Sequence, residues 1–283
     1  MLVRDHYPAG TPSWVETTQP DPVAAAAFYG ALFGWTFNDR MPPDAPGQYL
    51  VAHLEDLDVA AVGSQSEGTP PTAMWHTYVT VDSADDTAAR VSEAGGAVIS
   101  EPFDVFDVGR MAVVADPAGA TFCLWQPGSF HGAEVVNAPG SWNWSNLATG
   151  DPEGAKAFYA AVFGWEARTI SLGGFEATMF CLPDYGDFLA TLEPGLRERQ
   201  ADQGAPEGFA DAIAWLETTT SDEVPAHWSV TFSATDTRAT ASLAARLGGT
   251  VIVPPFDAGN ATMATLTDPA GAVFTVNTYT PPS

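Results

Sequence analysis

Positive charge is nearly absent from this chain. Its 283 residues hold 10 lysines and arginines against 35 aspartates and glutamates, a formal charge of −25. Such a surface repels nucleic acid and anionic membranes, so neither is expected as a partner. The acidity has two readings, solubility of the protein and attraction of a cationic ligand. Lysine occurs once, as Lys156 in a helical pattern, where a surface position explains it better than Schiff-base chemistry. Cysteine is also scarce: Cys123 and Cys181 sit in the apolar contexts TFCLW and MFCLP, which reads as two free buried thiols rather than a disulfide framework. No apolar run reaches the roughly 18 residues of a membrane span, and MLVRDHYPAG lacks the pattern of a signal peptide. A soluble, cytoplasmic protein is expected. Also missing are GxGxxG after a strand, GxxxxGK[ST] and GxSxG, which removes the common dinucleotide, phosphate and serine-nucleophile signatures.

What the chain does contain is a repeat. DPVAAAAFYGALFGW, Asp21 to Trp35, recurs as DPEGAKAFYAAVFGW, Asp151 to Trp165. HTYVTV from His76, AGGAVISEPFDV from Ala94 and DPAGATF from Asp116 recur as HWSVTF from His227, LGGTVIVPPFDA from Leu247 and DPAGAVF from Asp268. The second set is displaced further than the first, so the second half carries an insertion. These matches divide the chain into a first domain over 10–127, a linker over 128–139 and a second domain over 140–280, with the inserted loop near 194–208.

Each half divides again. SWVETT reads as a strand, Asp21-Pro22 starts a helix that Gly34 ends, and QYLVAHL and DVAAVGS read as strands. HTYVTV, the helix DDTAARVSEAG, AVIS, RMAVVAD and TFCLWQ repeat the order. The acidic pairs Asp85-Asp86 and Glu55-Asp56 fall at a helix start or turn, where capping or solvation explains them better than acid–base catalysis. Phe28, Leu32 and Trp35, with Phe158, Val162 and Trp165, have the spacing of a helix face buried on a sheet.

This βαβββ order, with the FYxxxFGW, GG and DPAGA segments, resembles the vicinal oxygen chelate superfamily of glyoxalases, extradiol dioxygenases and bleomycin-resistance proteins. The subfamily it most resembles has tandem domains, is actinobacterial and includes accessory proteins of aromatic antibiotic biosynthesis. The resemblance implies an α+β fold, with four βαβββ modules forming two tandem cup-shaped domains.

Metal-dependent members of that family place His or Glu on the first and last strands of each module. Carried onto this chain, the first-strand positions are Trp14, His76, Trp144 and His227, and last-strand positions of the second modules are Cys123 and Thr275. DVAAVGS and GDFLATL, taken as the remaining last strands, offer no ligand. Each half then keeps one histidine where a catalytic divalent ion needs three or four ligands. Glu16 and His53 are the only rescue, and Asn146 stands where Glu16 has its counterpart. No metal or other cofactor is expected. The alternative for His76 and His227 is that of hydrogen-bonded core histidines.

Strand alternation adds neighbours to these positions on the same faces: Glu16, Tyr78, Trp125, Asn146, Ser229 and Asn277. The candidate ligand-binding set is thus Trp14, Glu16, His76, Tyr78, Cys123 and Trp125 in one half. In the other it is Trp144, Asn146, His227, Ser229, Thr275 and Asn277. Aromatic walls with a few polar groups suit an organic ligand, although a sheet core explains the same aromatics. The expected function is metal-independent binding of a small aromatic natural product, cationic in the reading that uses the charge. Such a protein serves antibiotic sequestration or an accessory step beside a biosynthetic enzyme. The alternative is a glyoxalase-like lyase, an extradiol-type dioxygenase or a hydroxylase-like enzyme.

Overall fold

The structure is a computed structural model that describes residues 3–65, 72–172, 175–219 and 224–280. The first module consists of β1 (Pro12–Gln19), α1 (Pro22–Phe33), β2 (Thr36–Asp39), β3 (Tyr49–Leu54) and β4 (Leu57–Ser64). The Asp21 carboxylate accepts from the Ala24 backbone N–H at 3.0 Å and Pro22 supplies a preset φ, so the helix starts there. Gly34, at φ 78°, ends it in the left-handed region that a side chain resists. The second module repeats the order as β5 (Met74–Thr80), α2 (Ala84–Glu93), β6 (Ala97–Val105), β7 (Gly109–Ala115) and β8 (Thr121–Pro127).

In the second half come β9 (Trp142–Thr149), α3 (Pro152–Phe163), β10 (Glu166–Leu172), β11 (Phe175–Cys181), α4 (Tyr185–Leu192), α5 (Leu196–Asp202), a 3-10 turn (Phe209–Asp211) and β12 (Ala212–Thr218). The last module is β13 (His227–Ser233), α6 (Thr237–Arg246), β14 (Thr250–Ala258), β15 (Ala261–Thr267) and β16 (Val273–Tyr279). Two expectations change here. GDFLATL is helix α4, because Phe188, Leu189 and Leu192 fall at helical spacing; the strand it was taken for is AIAWLET, β12. The extra residues are two helices and a 3-10 turn between β11 and β12, broader than the loop expected at 194–208.

Each half forms one eight-stranded mixed sheet, in the order β2-β3-β4-β1-β5-β8-β7-β6 and its counterpart β10-β11-β12-β9-β13-β16-β15-β14. The antiparallel seams β1–β5 and β9–β13 join the two modules of a half, so modules pair within halves. The result is two tandem cup-shaped α+β domains.

The helices lie between the sheets. Phe28, Tyr29 and Leu32 of α1 share one core with Val15 and Trp75 of the first sheet and with Val230, Phe232 and Phe274 of the second. Phe158, Tyr159 and Val162 of α3 share the other core with Phe122 and Leu124 of the first sheet and Phe180 and Leu216 of the second. Each such side chain contributes about 1.5–3 kcal/mol by leaving water. The FYxxxFGW segment therefore buries its face against both sheets. The two Trp residues tie the halves reciprocally: Trp35 Nε1 donates to the Gly140 carbonyl at 2.7 Å, and Trp165 Nε1 to the Gly10 carbonyl at 2.8 Å. The opposite face of each sheet is left free to form a cup. No helix among the described residues is long and apolar enough to cross a membrane.

Candidate functional site

All twelve candidate residues lie on the cup faces, since the helix-side faces are taken by odd-numbered residues such as Val15, Leu147 and Val79 and by Phe122, Trp228 and Phe274. Within the first cup, Trp14 stands opposite Tyr78, Glu16 opposite His76 and Tyr78 opposite Cys123. Tyr49 on β3, absent from the candidate set, reaches the same floor. Its hydroxyl donates to Glu16 Oε2 at 2.7 Å and accepts from Trp14 Nε1 at 3.1 Å. His76 Nε2 and Thr18 Oγ1 are 3.1 Å apart. Burial, then the Glu16 carboxylate, pushes the Tyr49 hydroxyl far above its ordinary range; burial does the same to Tyr78 and to the Cys123 thiol. Burial pulls His76 down, with Glu16 opposing.

The linker covers this cup. Phe130 stands edge-on to Trp14 at 4.9 Å and to Trp125 at 6.0 Å between ring centroids, and the Trp125 Nε1 donates to the Phe130 carbonyl at 2.9 Å. Ala133 then pairs with the Ser13 carbonyl at 2.8 Å, and the N-terminal Tyr7 hydroxyl fastens the Ala133 carbonyl at 2.6 Å. Trp14, Tyr78, Cys123 and Trp125 are buried beneath it. Glu16 and His76 are thus paired, while His53 on β3 bonds Asp58 through Nε2 at 2.9 Å and its buried Nδ1 has no partner.

The second cup differs in composition. Trp144 and Trp215 stand 5.7 Å apart at 60°, both half-buried. Phe209, on the 3-10 turn of the inserted segment, packs on both, at 6.0 and 6.3 Å. Asn146 Nδ2 donates to Glu217 Oε1 at 3.1 Å. The carboxyl of Glu217 is raised above its ordinary value, by desolvation first, with the Asn146 bond opposing. Asn146 Oδ1 and the Thr231 hydroxyl are buried without a hydrogen-bond partner. Leaving such a group unpaired costs about 1–3 kcal/mol. Thr231 faces Trp144 across β9 and Thr275 across β16, so both orphaned atoms belong to residues of the cup face. Trp215 and Glu217 were missed because the strand that carries them was misplaced; the short apolar run AIAWL was the available signal.

One register correction follows. Trp75 Nε1 and Trp228 Nε1 make equivalent bonds to the Tyr29 and Tyr159 hydroxyls, at 3.0 and 2.9 Å, so Trp75 and Trp228 are counterparts. His76 therefore corresponds to Ser229, and His227 to Met74. The match of HTYVTV to HWSVTF is two residues out of step. His227 pairs with Ala148 at the exposed end of β13, where its Nδ1 lies 2.9 Å from the Pro225 carbonyl, whereas Ser229 opposes Asn146.

Glu16 is engaged by Tyr49, His76 by Thr18, and the second cup offers amide and hydroxyl groups beside one carboxylate. Among the described residues no three His, Cys, Asp or Glu side chains converge.

Residues 14–125 and 144–277 each match the glyoxalase-like domain family. CFP32 of Mycobacterium tuberculosis, provisionally named a glyoxylase, is 34% identical over 281 residues, covering 98% of this chain and 97% of that protein. The anthracycline biosynthesis protein DauV of Streptomyces sp. strain C5 is 35% identical over 285 residues, covering 95% of this chain and 94% of that protein. Among solved structures, the Mn(II)-bound glyoxalase from Novosphingobium aromaticivorans superposes with a TM-score of 0.60 at 17% identity, over 95% of this chain and 82% of that one. The 2,2',3-trihydroxybiphenyl 1,2-dioxygenase of Sphingomonas wittichii strain RW1 does so with a TM-score of 0.58 at 12% identity, over 97% and 92%. At such identities these structures share the fold alone. With the family match spanning both halves and full-length relatives above 30% identity, the chain belongs to the glyoxalase-like domain family.

Proposed function

We propose that the protein binds a small planar aromatic natural product in its second cup without using a metal ion. The role is sequestration, or an accessory step beside an enzyme of aromatic antibiotic biosynthesis in the cytoplasm. The observation that carries this reading is the contrast between the cups. The first cup is covered by the linker, with Glu16 engaged by Tyr49 and His76 by Thr18 and with His53 Nδ1 of β3 orphaned, whereas the second keeps two half-buried tryptophans and two orphaned polar atoms on its face. Apolar walls with a few unsatisfied polar groups are what an organic ligand completes. Phe130 and Phe209 further support the reading, since each is an aromatic ring of the chain lodged against a cup's tryptophans. The names of DauV and of DnrV from Streptomyces peucetius point to the same chemical setting. That no three His, Cys, Asp or Glu side chains converge among the described residues favours binding without a metal over the glyoxalase-like and dioxygenase-like alternatives.

Tryptophan fluorescence of the metal-stripped protein tests this. Titration with a planar polycyclic antibiotic is expected to quench emission saturably, and Trp215→Ala is expected to weaken the effect. Quenching that appears only after a divalent ion is restored would contradict it.

A further inference from the structure

The second cup's polar wall carries information about its occupant, and this inference rests on the reading of that cup as an aromatic-binding site. Asn146 is 5% exposed, and its orientation is fixed: Nδ2 donates to Glu217 Oε1, and turning the amide over would set its oxygen against a carboxylate. The amide oxygen is thereby left as a buried acceptor with nothing to accept from. Glu217 is an acceptor as well and takes part in no ion pair among the described residues. Thr231, facing Trp144 across the strand pair, has an unpartnered hydroxyl that can donate or accept. We infer that the ligand of the second cup presents hydrogen-bond donors, as phenolic hydroxyl or ammonium groups on an aromatic body, to the wall formed by Asn146 and Glu217, with Thr231 as the adaptable third contact.

The complementary exclusion is as specific. A carboxylate, sulfonate or ether in the same place would bring acceptor against acceptor, with two of the three wall groups repelling it. The formal charge of −25 adds a long-range preference for ammonium over carboxylate. In the first cup the Glu16 carboxylate accepts from Tyr49 at 2.7 Å, and the linker lies over the face.

Four anthraquinones with one variable group test the assignment by calorimetry on the full chain: 2-hydroxy, 2-aminomethyl, 2-methoxy and 2-carboxylate. The hydroxy and aminomethyl compounds are expected to bind at least about tenfold more tightly than the methoxy and carboxylate compounds, as one hydrogen bond to a charged or buried acceptor implies. Asn146→Leu is expected to erase that advantage, and Glu217→Gln, which keeps the shape of the wall, to reduce it. Loss confined to the aminomethyl compound in Glu217→Gln assigns ammonium as the group Glu217 reads; equal loss for both supports the shared donor chemistry. Equal affinity of all four compounds, or a donor advantage that survives Glu217→Gln and Asn146→Leu in folded protein, overturns the inference while leaving aromatic binding standing. Binding of none of the four overturns the reading of the cup itself.

Discussion

The Tyr29 hydroxyl donates to Asp268 Oδ2 at 2.9 Å, joining the first helix of the chain to the DPAGA turn of its far end. The mirror contact runs from Tyr159 to Asp116 Oδ2 at 3.2 Å. Each tyrosine also accepts from a tryptophan of its own half, Trp75 or Trp228, so two Trp–Tyr–Asp relays cross the interface between the sheets in opposite directions. Both aspartates use their other oxygen to hold their own turn, through the backbone N–H groups of Ala118 and Ala120 or of Ala270 and Ala272. The two repeated motifs thus meet each other across the halves.

Removing one hydroxyl breaks two bonds at once. Tyr29→Phe and Tyr159→Phe are each expected to cost about 1–3 kcal/mol, Tyr159→Phe the more, because there Asp116 Oδ2 and an indole N–H lose their partner together, whereas Asp268 Oδ2 still accepts from Gln19 Nε2 at 2.6 Å. Chemical denaturation measures this. The two relays share no residue, so the double variant is expected to be close to additive.

The linker is expected to act as a cover for the first cup. Phe130→Ala uncovers Trp14 and Trp125, which should shift tryptophan emission to the red. The half-buried ring makes the expected loss of stability about 1–3 kcal/mol, below that of a fully buried phenylalanine. An unchanged emission maximum in the folded variant would show that the cover lies elsewhere.

Glu217 gives a pH signature. Its carboxyl is raised above the ordinary value of 4.5, so the ionised form is the less comfortable one in the folded state. Stability tied to this group is complete below pH 4.5 and declines as pH rises through the raised folded value. Because Glu217 is an exposed residue, Glu217→Gln is expected to raise Tm only slightly at neutral pH, with the gain vanishing on acidification. A gain that is the same at both ends of the range would assign the effect to packing.

His76 has the opposite sign. Burial lowers it from 6.5, so its contribution is intact above that pH and is lost as pH falls through the folded value. A His76→Gln variant should lose less stability between neutral and mildly acid pH than the parent. Parallel pH profiles for parent and variant would contradict this.

Much of the fold was legible because its signals are local. Asp-Pro and Gly34 bound α1, and strand alternation put all twelve candidates on the cup faces. The register of β5 against β13 was not legible, because HTYVTV and HWSVTF share their histidine, valine and following threonine by coincidence, while Trp75 precedes one matched histidine and Trp228 follows the other. A two-residue slip preserves facing, so the faces came out right and the counterparts wrong. Glu217 was lost for a different reason: GDFLATL lies where a strand was due, and the helical spacing of Phe188, Leu189 and Leu192 marks it as helix α4 instead. The packing of Phe130 or Phe209 against a cup's tryptophans depends on where a polar, turn-rich segment lies in space, and composition says nothing of that.

Calorimetric titration of the metal-stripped chain with a planar aromatic antibiotic bears most directly on the second cup. One binding site per chain, unaffected by added divalent ions and lost in Trp144→Ala or Trp215→Ala, is the result expected. Two equal sites, no heat across a panel of such compounds, or binding that depends on a restored metal ion would contradict the account.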